Sequence, residues 1–254
     1  MIDLHTHILP GLDDGPVTLE GSVAFARAAV ADGTQLVAAT PHVRDDYPTR
    51  ADAMLSAVAR LRQALADEAI ALDVHPGGEI ALGRLGELGS DELASFGLAG
   101  NPRYLLVEFP YHGWPFDLGA RLLELSAAGI TPVLAHPERN PDVANQLDRV
   151  GSLVEAGVLL QATAASLDGR GGRRVRSVAF ELVERGWVHM VASDAHTPAI
   201  RQVGLTPAAH AIGDPDLAAW LTEGVPGAIV AGAELPERPA PSPRRRLGWG
   251  RRGR

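Results

Sequence analysis

Among its 254 residues the chain has no cysteine and no lysine. Without cysteine there is no disulfide, no thiolate metal site and no cysteine nucleophile, which excludes zinc-finger chemistry and the cysteine route to phosphate-ester hydrolysis. Without lysine every basic role falls to arginine, and no carboxylated lysine can bridge a metal pair, so a glutamate must bridge instead. Long apolar runs are also missing: nothing approaches the roughly 20 residues that span a bilayer. The opening residues are charged and ligand-bearing where a signal peptide would be apolar. A soluble, cytoplasmic protein with no transmembrane segment is expected.

A hydrophobic content of 46% over this length suits a single α/β barrel. Short apolar runs without alternation read as strands buried on both faces, the habit of parallel sheets covered by helices. They lie near residues 2–7, 35–40, 72–78, 104–107, 130–135, 158–162 and 188–193, which makes about seven. Helical patterns fall between them, over Leu19 to Asp32, Arg50 to Glu68, Phe116 to Ala128, Asp142 to Glu155 and Arg173 to Arg185. In a barrel of parallel strands all carboxyl ends open on one rim, where active sites are built. Ligand-type residues end one run after another: His5 and His7, His42, Glu79, Glu108, His136, and Asp194 with His196. In the first run His5 and His7 stand two apart, so they share a strand face and can offer two imidazoles to one ion. Histidines and carboxylates form a hard to borderline N/O donor set suited to Mn²⁺, Fe or Zn²⁺.

Arg139 stands three residues after His136, and a guanidinium forks onto two phosphate oxygens as an ammonium cannot. A surface ion pair with Glu138 or Asp142 is the alternative for it. His75, His189 and His210 are expected on element surfaces, and His112 on the rim. Gly77 and Gly78 read as a tight turn before Glu79.

The formal net charge is −8, unevenly spread. From Glu234 onward seven arginines face two glutamates, giving about +5 there and about −13 elsewhere. The Pro/Arg-rich segment 234–254 is expected to be a disordered tail after a domain spanning 1–233, either simply solvated or docked on an acidic partner or an anionic membrane surface. The acidic balance of the barrel disfavours nucleic acid.

Met1-Ile-Asp-Leu-His-Thr-His-Ile-Leu-Pro-Gly-Leu-Asp-Asp-Gly15, Ala39-Thr-Pro-His42, Gly78-Glu79, Val107-Glu-Phe-Pro110, Ala135-His-Pro-Glu-Arg-Asn140 and Val191-Ala-Ser-Asp-Ala-His196 together resemble the polymerase and histidinol phosphatase (PHP) superfamily. Within it they are most similar to the bacterial manganese-dependent protein tyrosine phosphatases of capsule and exopolysaccharide operons. The resemblance runs from Met1 to about Arg201. It implies a distorted TIM-like (β/α)7 barrel with three divalent metal ions, Mn²⁺ by resemblance, with Fe or Zn²⁺ as the alternatives. His5, His7 and Asp194 would hold the first, Glu79 would bridge to a second completed by Glu108 and His136, and Asp14, His42 and His196 would hold the third. Asp13 competes with Asp14 as the carboxylate, and the family pattern favours Asp14. Arg139 becomes a phosphate clamp, and Arg201 resembles a second active-site arginine although its surroundings depart from the usual motif. The implied activity is hydrolysis of phosphotyrosine by a metal-activated hydroxide, on a bacterial tyrosine autokinase that controls polysaccharide export. The alternatives are a histidinol phosphate phosphatase and, from other classes, a phosphodiesterase or a non-catalytic metal-binding module.

Overall fold

Buried apolar strands dictate the architecture, and two of them are broken in the middle. The computed structural model describes residues 1–197 and 203–240. In chain order the elements are β1 (Ile2–Thr6), α1 (Leu19–Ala31), β2 (Leu36–Ala39), β3 (His42–Arg44), β4 (Tyr47–Pro48), α2 (Ala51–Asp67), β5 (Asp73–Pro76), β6 (Glu79–Ala81), α3 (Ser90–Ser95), β7 (Tyr104–Glu108) and α4 (Leu118–Ala127). Then follow β8 (Thr131–Ala135), α5 (Leu147–Glu155), β9 (Leu159–Thr163), α6 (Ala164–Asp168), α7 (Arg173–Glu184), β10 (Val188–Ala192), α8 (Thr206–Ile212), α9 (Pro215–Ala219) and α10 (Val225–Ala231).

One parallel sheet runs β1-β2-β5 and a second runs β10-β9-β8-β7-β6-β3, with β4 folded back antiparallel on β3. Because β2 passes into β3 across Thr40-Pro41 and β5 into β6 across Gly77-Gly78, the described strands make seven parallel tracks. The ring closes between its first and last tracks: Asp194 N donates to His5 O and His7 N to Ala195 O, both at 2.9 Å. Asp3 reinforces the seam, its carboxylate accepting from Ser193 N at 3.0 Å and His5 N at 3.3 Å. Burial pushes the Asp3 carboxyl up to about 6, against those bonds and the nearby His5. The result is the expected distorted (β/α)7 barrel.

The helices form where an apolar stripe recurs. Met54, Val58, Leu61 and Leu65 line one face of α2 and are buried against the sheet. The five expected helices are all present, although α5 starts only at Leu147 after a 3-10 turn at Val143–Asn145. The short helices α3, α6, α8, α9 and α10 carry no period long enough to announce them. The Gly77-Gly78 link holds no left-handed turn; instead, a Cβ on Gly78 would sit 2.6 Å from the Phe96 ring, so the glycine serves close packing.

Two apolar layers result. The outer one joins strand residues such as Leu105, Val107 and Leu160 to Phe25, Leu61, Leu122 and Leu182 of the helices. The inner one holds Leu4, Ala38, Leu106, Val133, Leu159 and Met190, and Val225 and Ile229 of α10 plug its lower end. Each fully buried Leu or Ile contributes about 1.5–3 kcal/mol. The segment after α10 packs below the barrel: Arg238 donates to Val183 O at 2.8 Å and Val188 O at 3.2 Å, and Trp220 Nε1 donates to Pro236 O at 3.0 Å. Beyond the expected tail boundary at Glu234, Pro236 and Arg238 thus keep hydrogen bonds to the barrel while residues up to 240 stay mostly exposed. Residues 241–254 lie outside the described residues, as does Arg201.

Candidate metal centre

Four of the site side chains keep the inward phase of the strand that leads to them, three of these past the end or a break of that strand. In β7, Tyr104 and Leu106 face the inner layer and Leu105 and Val107 the outer, so Glu108 is next to face inward. The same count carries Ala38 to His42, His75 to Glu79 and Met190 to Asp194. The other two strand ends need irregular backbone. Leu4 faces inward, so His5 should face out; a register shift between Asp3 and Thr6 inserts one residue against β2 and turns His5 and His7 inward. His136 follows the inward Ala135 and reaches the same interior through a left-handed backbone, φ 36°. Asp194 is also left-handed, φ 49°. Conformations of this kind cost a non-glycine residue on the order of 1 kcal/mol or more and persist where surroundings over-determine them.

The side chains converge into overlapping groups whose ligand atoms lie within 4.8 Å of one another: His5, His7 and Asp194; His5, Glu79 and His136; His42, Glu79 and Glu108; His7, Asp14, His42 and His196. Glu79 is the hub. Its Oε1 lies 2.8 Å from His136 Nε2, while Oε2 lies 2.8 Å from His42 Nδ1, 3.4 Å from His5 Nε2 and 3.5 Å from His7 Nε2. Yet Oε2 and His42 Nδ1 are buried without a hydrogen-bond partner. Asp194 Oδ1 stands 3.4 Å from His5 Nε2 and 3.2 Å from His7 Nε2. Nearer the opening, Asp14 Oδ1 lies 3.0 Å from His196 Nε2 and 3.4 Å from His42 Nε2. Glu79 Oε1 shares a hydrogen bond with His136 Nε2, but the orphaned Glu79 Oε2 and His42 Nδ1, crowded among further nitrogens and carboxylate oxygens, fit a site for hard cations.

Electrostatics agree. Burial pushes the Glu79 carboxyl up, but His5, His136 and His42 hold it well below the usual carboxylate range. Burial likewise opposes ionisation of Asp194, and Arg139 and His5 overcome it, holding that carboxyl well below its ordinary value. Burial lowers His5 and His7, yet the carboxylates around them, Glu79 and Asp194 for the first and chiefly Asp13 for the second, raise both. Glu108 moves the other way, raised by burial and by the Glu79 charge. The cluster attracts positive charge.

A surrounding shell sets the imidazoles. Asp13 Oδ2 lies 2.7 Å from His7 Nδ1 and accepts from His42 N at 3.0 Å, so the buried Asp13 orients His7 while Asp14 faces the cluster. Gln161 Oε1 lies 3.0 Å from His5 Nδ1 and accepts from His136 N at 3.3 Å. A Cβ on Gly15 would meet His7 O at 2.1 Å, which requires glycine where the Asp13-Asp14 loop crosses β1. Arg44, two residues beyond His42 on the same strand face, donates to Glu108 Oε1 at 2.9 Å. Gln161 and Arg44 escape motif reading, but each leaves a signal: a lone glutamine inside an apolar run, and an arginine at i+2 from a strand-end histidine.

Arg139 lies in the site, its Nη1 donating to Asp194 Oδ2. Neither Glu138 nor Asp142 takes it: buried Glu138 accepts from Thr163 N at 2.9 Å and Ser166 Oγ at 2.7 Å, and Asp142 accepts from Gly113 N at 2.9 Å. Burial works against the Arg139 charge, but Asp194, Glu138 and Tyr111 raise its pKa further. His112 and His210 are exposed, and half-buried His75 pairs with Asp73 at 3.0 Å. His189 is more enclosed than a surface histidine, its Nδ1 accepting from Leu160 N at 3.2 Å.

The family profile for capsular polysaccharide synthesis, CpsB/CapC, matches residues 1–214. The tyrosine-protein phosphatase YwqE of Bacillus subtilis (strain 168) is 38% identical over 198 residues, 77% of either chain. The tyrosine-protein phosphatase CpsB of Streptococcus pneumoniae is 30% identical over 204 residues, 77% of this chain and 83% of that one. A solved structure from crystallography of YwqE from Bacillus subtilis and CpsB from Streptococcus pneumoniae, described as unique metal-dependent tyrosine phosphatases, matches with a TM-score of 0.84 at 32% identity. It covers 95% of this chain and 100% of that one.

Proposed function

The chain belongs to the CpsB/CapC family of capsular polysaccharide synthesis, and from that premise we propose that the rim cluster is the centre at which phosphotyrosine is hydrolysed. The protein is a metal-dependent tyrosine-protein phosphatase with a PHP-type barrel. The observation that carries the assignment of the site is Glu79 Oε2, buried among three imidazole nitrogens without a hydrogen bond.

His5, His7 and Asp194 would hold one divalent ion, Glu79 would bridge it to a second that Glu108 and His136 complete, and Asp14, His42 and His196 would hold a third. The group of His5, His7 and Asp194 and the group of His7, Asp14, His42 and His196 support the first and third of these, and Glu79 is shared between a group with His136 and one with Glu108. The all-N/O donor set suits Mn²⁺, Fe or Zn²⁺ alike, and the resemblance to manganese-dependent phosphatases favours Mn²⁺. Once bound, such ions supply Lewis acidity, neutralising phosphoryl oxygens and lowering the pKa of water. The protein does the rest by placement. Asp13 and Gln161 accept from the Nδ1 of His7 and His5, which fixes the tautomer that leaves each Nε2 lone pair facing the cluster. Arg139 reaches the cluster from the side and offers its fork to a phosphate dianion. Because a phenol's pKa is about 10, the phenolate departs without a dedicated proton donor.

The cellular substrate in this reading is the phosphotyrosine segment of a bacterial tyrosine autokinase controlling capsule or exopolysaccharide synthesis, met in the cytoplasm. Support comes from the family's description, capsular polysaccharide synthesis. Among the described residues no helix is long and apolar enough to cross a membrane. The tyrosine phosphatase relatives disfavour histidinol phosphate hydrolysis, phosphodiester cleavage and a non-catalytic role. Phosphate release from a phosphotyrosine peptide and from histidinol phosphate, with chelator-stripped protein before and after Mn²⁺ addition, tests the reading. Metal-restored turnover of the peptide is expected; preference for histidinol phosphate would overturn it.

A further inference from the structure

A groove of about 490 Å³ opens beside the cluster, with Glu108 in its lining. One wall is Ala81, Leu82 and Gly83 after β6; the other is the loop after β7, including Pro110, Tyr111 and Pro115. Tyr111 lies nearly parallel to the His136 imidazole, ring centroids 5.7 Å apart and 16° between planes, so an aromatic surface runs from the metal cluster into the groove. The loop is pinned in place. Buried Asn140 donates from Nδ2 to Pro110 O and to Gly113 O, both at 2.7 Å, and Trp114 packs edge-on against buried Phe109 at 5.4 Å. Between the lining residues Pro115 and Asp117, Phe116 is fully exposed at 101%.

We propose that this groove, which deepens the phosphatase reading and rests on it, is the subsite for the phosphotyrosyl polypeptide. Tyr111 receives the substrate's phenol ring, and Phe116 grips the chain that flanks it. Three observations select this occupant. The groove shares Glu108 with the proposed centre, so anything bound there continues directly from the phosphate. Its walls are mostly apolar, with Asp117 and Arg121 paired to each other and Glu108 facing the cluster, which suits an aryl ring. Fully exposed Phe116, next in sequence to two lining residues, gives a large contact area to a neighbouring chain at small entropic cost. Asn140, next to Arg139, acts here as a positioning residue, setting the Tyr111 loop relative to the phosphate clamp.

Steady-state kinetics of the Mn²⁺-loaded full chain on phenyl phosphate and on a phosphotyrosine peptide, with bound manganese measured on each sample, tests this. Tyr111→Ala is expected to raise KM about tenfold for both substrates, leaving kcat within about twofold and manganese unchanged, while Tyr111→Phe stays near the parent. Phe116→Ala is expected to raise KM for the peptide alone. Gly83→Leu, at a position where an added Cβ meets nothing within 4 Å, should fill the groove and raise KM for both. If Tyr111→Ala loses manganese and rate together, Tyr111 merely supports His136 and the inference falls. It falls also if Tyr111→Ala and Gly83→Leu leave both KM values unchanged, and an unaltered Phe116→Ala removes the polypeptide part. Inactivity of the parent protein on both substrates would instead overturn the phosphatase reading itself.

Discussion

The two ends of the barrel obey opposite rules. At the carboxyl rim, His5, His7, His42, Glu79, Glu108, His136, Asp194 and His196 are all buried, two of them in left-handed backbone. At the lower end Val225 and Ile229 plug an apolar layer, and polar groups there find partners, as with Asn101 Nδ2 on Ile229 O at 2.7 Å and Arg238 on Val183 O and Val188 O. Burying so many ionisable groups is costly without compensating charge. The rim therefore draws on the rest of the barrel for its stability, and the lower end is free to be built for packing alone. What separates the two ends is that damage above should cost chemistry and damage below should cost folding.

The sharpest separation comes from His136→Ala or Asp194→Ala, which should lower phosphatase turnover by about a thousandfold or more with loss of bound metal, the barrel's circular dichroism staying intact. Arg139→Ala should keep the metal and lower kcat by about a hundredfold, and Arg139→Lys should not restore it because an ammonium lacks the fork. At the other end, Ile229→Ala should leave kcat unchanged and cost about 2–5 kcal/mol of unfolding free energy in urea titrations. A matching loss of kcat in the folded variant would break the distinction. Asp13→Asn and Gln161→Ala, which touch the imidazoles from behind, should weaken manganese affinity about 10–100-fold with little effect on folding, measurable by metal-binding calorimetry.

How much of this contrast was legible beforehand follows from the same physics. Glu108 ends an unbroken strand, and His42 and Glu79 keep the phase of theirs across a short break, so a sequence pattern can point to them, whereas Asp194 lies beyond the end of its strand in left-handed backbone. His5 and His7 were visible as a pair, but the register shift that turns them inward is not encoded in any local residue type. Neither is the left-handed turn at His136, which tertiary contacts impose on a residue that disfavours it. Asp13 and Asp14 are adjacent and chemically equal; only the fold of the Gly15 loop tells the orienting carboxylate from the one facing the cluster. The lower end was the least legible, because α8, α9 and α10 are short and the hydrogen-bonded stretch around Arg238 reads as proline-rich tail.

The smallest expected effect sharpens the lower end. Burial holds His189 down to about 4 from its ordinary 6.5, and its Nδ1 accepts a backbone hydrogen bond, so the folded state needs it neutral. The unfolded chain takes up a proton as pH falls below 6.5 while the folded one waits until about 4, so this residue withdraws stability across that window and contributes no slope above it. The difference in urea midpoint between the parent and His189→Gln should therefore change between pH 6.5 and pH 4 and stay constant above pH 7.

In the proposed centre three divalent cations bind at the rim, and hydrolysis depends on all of them. Counting manganese per chain on chelator-stripped, reloaded protein, in step with phosphotyrosine hydrolysis, tests it most directly, with His196→Ala run beside the parent. About three ions at full activity are expected in the parent, and in the variant one fewer with hydrolysis lost. Full activity at fewer than three ions, or an active His196→Ala protein, would contradict it.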